Sequence, residues 1–305
     1  MHRRVVFMGS KSAGLGCLRR LVALAPDRLV GVITLDDRAD SRSALGGFAT
    51  FAEELEQPLH VAKDRLHSEN LLVELRPDLV FVLGWYWLIP KTVLDRVPGG
   101  FVGIHYSLLP KYRGSSPLVW QIINGEPTVG LSVFSFTETM DEGPIWAQIR
   151  VRLLESDYIA DILAKLESKT EEVLADIYPG MLDGSLKPRP QRDEPATYGA
   201  ARCPDDGLIN WNQPARSVYN FIRAQSSPYP GAFTIYGGNK LPIWKADLLN
   251  TQYYGLPGQV VRVASEGVYV VCGDNHPLLL RTVSDQRPAQ EVIRSVTTRL
   301  PSRLS

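Results

Sequence analysis

The chain has 305 residues, 44% hydrophobic and 22% charged, enough for one large or two modest domains with sizeable cores. Lys plus Arg and Asp plus Glu each number 33, so the basic excess that phosphate-backbone binding demands is missing, which argues against nucleic acid as the main partner. Three scattered cysteines (Cys17, Cys203, Cys272) have no CxxC or metal-like spacing, no apolar run approaches the roughly 20 residues of a membrane span, and MHRRVVFMGS lacks a signal peptide's long apolar region. The expectation is a soluble, cytoplasmic protein with reduced thiols, no bound metal and no membrane partner.

Strand and helix signals alternate through the first half. RVVFMG (4–9) reads as a strand, followed by a helix with apolar residues at Leu15, Leu18, Leu21, Val22 and Leu24. A strand at 28–35, a polar loop at 36–47, a helix near 48–56, a short strand at 58–62, a helix around 70–75 and strands at 78–85 and 100–105 follow. Such alternation predicts parallel βαβ units in an open, Rossmann-like α/β sheet. Two further strands, 129–136 and 143–151, read as a hairpin-type pair, and apolar spacing over Ser156–Ile177 predicts an amphipathic helix.

DGSLKPRPQRDEPATYG (183–199) is polar and proline-rich and reads as a linker or a surface-hugging connection. Beyond it come a helix at 213–225, with Pro214 in its first turn, and short strands at 241–248, 258–264, 267–272 and 278–283. That texture predicts a small, OB-like β-barrel. The expected domains are therefore 1–185, a linker at 186–206, and 207–305, with a solvated tail over the last 19 residues.

GSKSAGLG (9–16) follows the first strand but fails both nucleotide-binding patterns: Leu15 follows Gly14 where a P-loop needs Lys, and Arg19 stands where a dinucleotide fingerprint needs its third glycine. It reads as a tight strand-to-helix turn, or as contact with an anionic substrate through free helix N–H groups. His105 ends a strand, and ligands in open α/β sheets collect beyond the carboxyl ends of strands. In TETMDEGPIWAQ (137–148) an acidic residue precedes a Gly-Pro turn between strands. If Asp141 meets His105 across a cleft, the pair can carry a proton to or from a reacting amine.

HYSLLPKYRGSSPLVWQIINGE followed by MDEGPIWAQ resembles the catalytic core of the formyltransferases that use 10-formyltetrahydrofolate. VLGWYWLIPKTVLD (82–95) is similar to the segment that holds the donor's pterin ring in that family, and PDDGLINWNQPARSVYNFIRAQSSPYPGAFT (204–234) resembles the start of its C-terminal domain. The resemblance implies a formyltransferase with 10-formyltetrahydrofolate as co-substrate. In that chemistry an amine attacks the formyl carbon, a tetrahedral intermediate forms, and the folate nitrogen leaves. His105, tuned by Asp141, is the implied base and acid. The implied pterin seat is Trp87, Leu88 and Ile89, facing Thr137, Glu138, Thr139, Met140 and Asp141. One position departs from the family: the Asn expected two residues before the histidine, which stabilises the oxyanion, is Gly103. Protonated His105, a backbone N–H, or a water in the vacated space would have to replace it.

Relatives that act on methionyl-tRNA carry a basic loop after the second strand, whereas DDRADSRSALGG (36–47) holds three Asp and two Arg. From Asp206 onward ten Lys and Arg stand against six acidic residues. The HYSLLPKYRG wording is closer to enzymes that formylate amino sugars carried on a nucleotide diphosphate. A nucleotide-linked amino sugar is thus the expected acceptor, its diphosphate near Ser10, Lys11 or Lys111, Tyr112 and Arg113. The arabinose-modifying relatives have Arg where Ser115 stands, so the sugar itself does not carry over. A hydroxyornithine-like amine, methionyl-tRNA, hydrolysis of the formyl donor, and a non-catalytic folate-binding module remain alternatives, and a homodimer is left open.

Overall fold

The computed structural model describes residues 3–192, 194–284, 287–296 and 304. In chain order the elements are β1 (Val5–Gly9), α1 (Lys11–Leu24), β2 (Leu29–Leu35), α2 (Leu45–Glu54), β3 (Leu59–Ala62), α3 (Arg65–Leu75), β4 (Leu79–Leu83), α4 (Lys91–Leu94), β5 (Phe101–His105) and β6 (Arg113–Gly114). They continue with α5 (Pro117–Ile123), β7 (Thr128–Ser135), β8 (Ile145–Arg152), α6 (Ile159–Asp183), β9 (Tyr198–Gly199) and α7 (Ala215–Gln225). The last are β10 (Ala232–Tyr236), β11 (Asn239–Leu248), β12 (Val260–Ala264), β13 (Gly267–Val271), β14 (Pro277–Val283), β15 (Arg287–Pro288) and α8 (Ala289–Val296).

The chain forms two compact units. The first comprises 1–114, 130–151 and 164–198; the second comprises 115–129, 152–163 and 199–305. In the first, one seven-stranded sheet has the order β3-β2-β1-β4-β5-β7-β8. β1 pairs parallel with β2 and β4, β4 pairs parallel with β5, and β7 runs antiparallel to β5. VVFMG and LVFVL are buried along their whole length, because helices cover both faces of a parallel sheet and leave no polar side to alternate with. The strand order reverses between β1 and β4, which places the crevice of a doubly wound sheet at Gly9–Ser10 and Leu83–Gly84.

Two helices begin earlier than periodicity indicates. α2 starts at Leu45 because its first turn contains Gly46 and Gly47, residues of low helix propensity that hide the pattern. α3 starts at Arg65, capped by Asp64, whose side chain accepts from the His67 N–H at 2.8 Å.

In the second unit the antiparallel order is β10-β11-β14-β13-β12, with β15 on β14. Its core joins α7 residues Val218, Tyr219 and Ile222 to Ile243, Val268, Val270, Leu278 and Leu280. β10, absent from the sequence reading, forms a hairpin with β11 through Gly237 and Gly238, both at positive φ as two-residue hairpin turns require. Pro214 is the N-cap of α7 rather than a first-turn residue. The expected solvated tail is corrected over its described part, since Arg287–Val296 forms β15 and α8 and buries Ala289 and Val292.

Gly9 is where β1 and β4 press closest. A Cβ there would run into the Leu83 carbonyl oxygen and lie 2.7 and 2.8 Å from ring atoms of Phe7. The ladder cannot part without losing its hydrogen bonds. Gly9→Ala is expected to cost about 1–3 kcal/mol, the range for overpacking, read as a lower urea midpoint at unchanged slope.

Candidate active site

β5 delivers His105 to the carboxyl end of the sheet, where its residue is 8% exposed. The Ser-Leu-Leu-Pro segment then folds back on it. The Ser107 N–H donates to the His105 carbonyl at 2.8 Å, the Ser107 hydroxyl donates to the Lys111 carbonyl at 2.7 Å, and the Leu109 N–H donates to Ser132 Oγ at 3.1 Å. The turn returns the Tyr112 carbonyl to His105 Nε2 at 2.7 Å. A carbonyl only accepts, so this bond needs the proton on Nε2, and in the neutral ring the lone pair then sits on Nδ1.

Nδ1 lies 3.7 Å from Asp141 Oδ2, beyond a direct hydrogen bond but close enough for charge pairing when the ring is protonated. Asp141 Oδ2 accepts from the Gly114 N–H at 2.7 Å, so the same turn that holds His105 also holds its carboxylate neighbour. Asp141 and Tyr112 are both in the left-handed region, at φ 56° and 58°. Non-glycine residues keep such angles only where their surroundings hold them.

One cavity of about 680 Å³, the size of pockets that hold drug-sized ligands, brings these groups together with the expected pterin seat. Trp87, Leu88, Ile89, Thr137, Glu138, Thr139, Met140 and Asp141 all line it, as does His105. The apolar wall also contains Trp85, packed edge to face on Trp87 at 5.4 Å, and Tyr86. Arg65 and Lys91 are its cationic lining residues, the latter 2.9 Å from Asp95.

Position 103 lies on the same strand face as His105, two residues away, and pairs across to Phe134. A Cβ on Gly103 would run into the Phe136 ring and stand 3.4 Å from Phe134. The space that a side chain would use is filled by an aromatic ring, so a water in that space is ruled out as the substitute for the missing donor.

The expected diphosphate contacts are placed quite differently. Ser10 is buried, with its hydroxyl donating to the Gly84 carbonyl at 2.5 Å. Lys11 Nζ sits 2.6 Å from Asp37 and 2.9 Å from Asp40. Burial pulls its pKa down, but the bonds to Asp37, Tyr86 and Asp40 outweigh that and raise it overall. Asp40 is held well below the usual carboxylate range, first by Arg42 and then by Lys11. Arg113 is 1% exposed and committed to Glu142 (3.3 Å), Gln191 (3.0 and 3.2 Å) and the Tyr198 hydroxyl (3.0 Å). A buried guanidinium must be paired in this way, whereas the sequence reading gave Arg113 to the acceptor's diphosphate. Tyr112 serves the site through its carbonyl, and Lys111 is exposed. The reading also missed Gln191 and Thr197, which lie in the proline-rich stretch and have no local motif. Among the described residues no group of three His, Cys, Asp or Glu is arranged to hold a metal, and no helix is long and apolar enough to cross a membrane.

Residues 22–177 match the family model described as formyl transferase, and residues 203–296 match that of the formyl transferase C-terminal domain. The chain belongs to the formyl transferase family. Three solved structures place it among known folds. An N-formyltransferase from Helicobacter canadensis in complex with folinic acid and dTDP-3-aminofucose superposes with TM-score 0.70 at 18% identity, covering 91% of this chain and 98% of that one. HypX from Aquifex aeolicus in complex with tetrahydrofolic acid gives 0.67 at 17%, covering 100% of this chain and 51% of that one. Methionyl-tRNA formyltransferase from Clostridium thermocellum gives 0.59 at 19%, covering 81% and 94%. The chain spans about half the length of the HypX structures it matches. At these identities the likeness is one of fold.

The Gly103–Phe136 contact is testable as a coupled pair. Gly103→Asn is expected to destabilise the protein by about 1–3 kcal/mol, and Phe136→Ala, at a half-buried position on the cavity wall, by less than the roughly 3–5 kcal/mol of a fully buried Phe. The double variant should lose clearly less than the sum, because the smaller residue makes room for the larger. Strict additivity in denaturant unfolding would contradict the packing described.

Proposed function

We propose that this protein takes the formyl group of 10-formyltetrahydrofolate and passes it to the amine of a nucleotide-linked amino sugar. The observation that carries the reaction is the His105–Asp141 pair at the end of a cavity with an aromatic-apolar wall. A flat fused ring suits that wall, lying against Trp87, Leu88 and Ile89 with polar edges toward 137–141. His105 Nδ1 takes the proton of the attacking amine while Nε2 stays on the Tyr112 carbonyl. The imidazolium so formed faces Asp141 and returns its proton to the departing folate nitrogen. With position 103 closed by Phe136, protonated His105 or a backbone N–H is left to steady the developing oxyanion.

Two observations support a small acceptor over RNA. In the loop after β2 both arginines meet a nearby carboxylate, Arg38 with Asp36 and Arg42 with Asp40, and the loop's Asp37 and Asp40 also pair with Lys11 of α1. Little charge is left over for phosphates of a polynucleotide. The Helicobacter canadensis enzyme, of matching length and fold, carries a dTDP-amino sugar. The commitment of Lys11 and Arg113 to carboxylates favours one second reading, a small amine without a diphosphate.

Incubation with 10-formyltetrahydrofolate and a panel of UDP-, dTDP- and GDP-linked amino sugars, methionyl-tRNA and free amines decides among these. Turnover is expected only with an acceptor, and with one nucleotide sugar. Turnover without any acceptor would mean a hydrolase, and none with any amine would mean a binding module. Turnover of a free amine or methionyl-tRNA alone would overturn the sugar assignment and leave the chemistry standing. His105→Asn and Asp141→Asn should each lower kcat at least about 100-fold with the fold intact, the lower range for positioned acid–base groups. Ordinary kcat in either would remove the roles given to them.

A further inference from the structure

The proline-rich stretch after α6 does more than connect. The backbone of Arg189 pairs in both directions with Ile145 at 2.7 and 2.9 Å, which seats the stretch against the start of the edge strand β8. The Arg189 side chain reaches Gln148 at 2.5 Å, and Gln148 donates to Ser132 Oγ and to the Leu109 carbonyl inside the His105 turn. Two residues on, the Gln191 amide nitrogen donates to the carbonyls of Asp141 and Gly143, each at 2.7 Å, while its oxygen accepts from Arg113 at 3.0 and 3.2 Å. Two carbonyls can only accept and a guanidinium can only donate, so this amide has a single workable orientation. Further along, Thr197 Oγ1 accepts from the Tyr112 N–H at 2.8 Å, and the Thr197 carbonyl accepts from the Arg113 N–H at 2.8 Å.

Two of the residues gripped in this way, Asp141 and Tyr112, are non-glycine residues in the left-handed region. A non-glycine residue keeps that conformation only where its surroundings hold it. One presents the carboxylate to His105 Nδ1 and the other presents the carbonyl to Nε2. The grip comes from 50 and 85 residues away in sequence, so neither local turn is self-sufficient.

We propose that residues 189–192 and 194–198 form a strap over the catalytic unit, in which Gln191 and Thr197 are positioning residues: Gln191 sets the Asp141 carboxylate and Thr197 sets the Tyr112 carbonyl that fixes the His105 tautomer. Thr197 acts on the histidine through Tyr112, while Gln191 acts on Asp141, which also borders the donor seat at 137–141. The Thr197 contact therefore governs the chemical step, and the Gln191 contact governs that step together with the polar edge of the donor seat. This inference rests on the formyl-transfer role given to His105 above, and one arm of its test does not need that role.

The variants are Gln191→Met, which keeps length and removes the amide bonds, Thr197→Val, which keeps shape and removes the acceptor, and Thr197→Ser, which restores it. In formyl transfer, Gln191→Met and Thr197→Val should each lower kcat roughly 10- to 100-fold, as small misplacements of reacting groups do, with the donor KM held within about twofold in Thr197→Val. Thr197→Ser should recover most of the rate. Independently of activity, long-range ¹H–¹⁵N spectra of the imidazoles, with His105 assigned by its loss in His105→Asn, should show the ring protonated at Nε2 in the parent protein and in Thr197→Ser. In Thr197→Val the two tautomers should mix. Parent-like kcat and spectra in Gln191→Met and Thr197→Val, or a lowered melting temperature as the sole change, would overturn the strap's positioning role. Altered spectra in a protein with no transferase activity would uphold the strap and overturn the function assigned to His105.

Discussion

The hydrogen bond from His105 Nε2 to the Tyr112 carbonyl, 2.7 Å long, is the contact on which the candidate site depends. It occupies one ring nitrogen with a group that can only accept, and so reserves the other for chemistry. Forming it requires the chain to double back within seven residues and to hold Tyr112 at positive φ. Much of the surrounding sequence serves that requirement. Ser107 ties the turn across to Lys111, Ser132 anchors it to the adjacent strand, and Thr197 fixes the backbone of Tyr112 from outside.

The same turn carries a buried charge that is spent on structure. Arg113 is sealed beneath the loop with Glu142 and Gln191, and its neighbour Gly114 supplies the N–H that holds Asp141. A basic-looking segment thus becomes a scaffold for one histidine–carboxylate pair. Lys11, at the other end of the crevice, is likewise balanced by Asp37 and Asp40. At Lys11 and Arg113, where the sequence alone suggested cationic anchors, the charge is thus balanced by carboxylates of the protein itself.

What was legible in the sequence follows from what is local. Buried strands such as VVFMG and LVFVL announce themselves by unbroken apolar runs, and His105 and Asp141 by their places at a strand end and a Gly-Pro turn. The doubly wound order could be anticipated because βαβ connections leave few alternatives. Features that depend on contacts across the sequence were not legible. Nothing near Arg113 reveals that Gln191 and Tyr198 will bury it, and nothing near Gly103 reveals that Phe136 takes its space. The helix starts at Leu45 and Arg65 were hidden by a glycine pair and by a cap outside the apolar pattern. The segment at 287–296 read as tail because the residues it is seen to bury, Ala289 and Val292, stand among charged neighbours without a longer apolar run.

The central claim is that His105 Nδ1 faces the reacting formyl group while Nε2 remains on Tyr112. A crystal structure of the protein with a folate bearing a non-transferable formyl group tests it most directly. The formyl carbon is expected within about 3–4 Å of the space in front of Nδ1, the separation of a near-attack geometry, with the pterin against Trp87–Ile89 and the Tyr112 bond intact. A folate bound with its formyl group turned away from His105, or a ring flipped to free Nε2, would contradict the account.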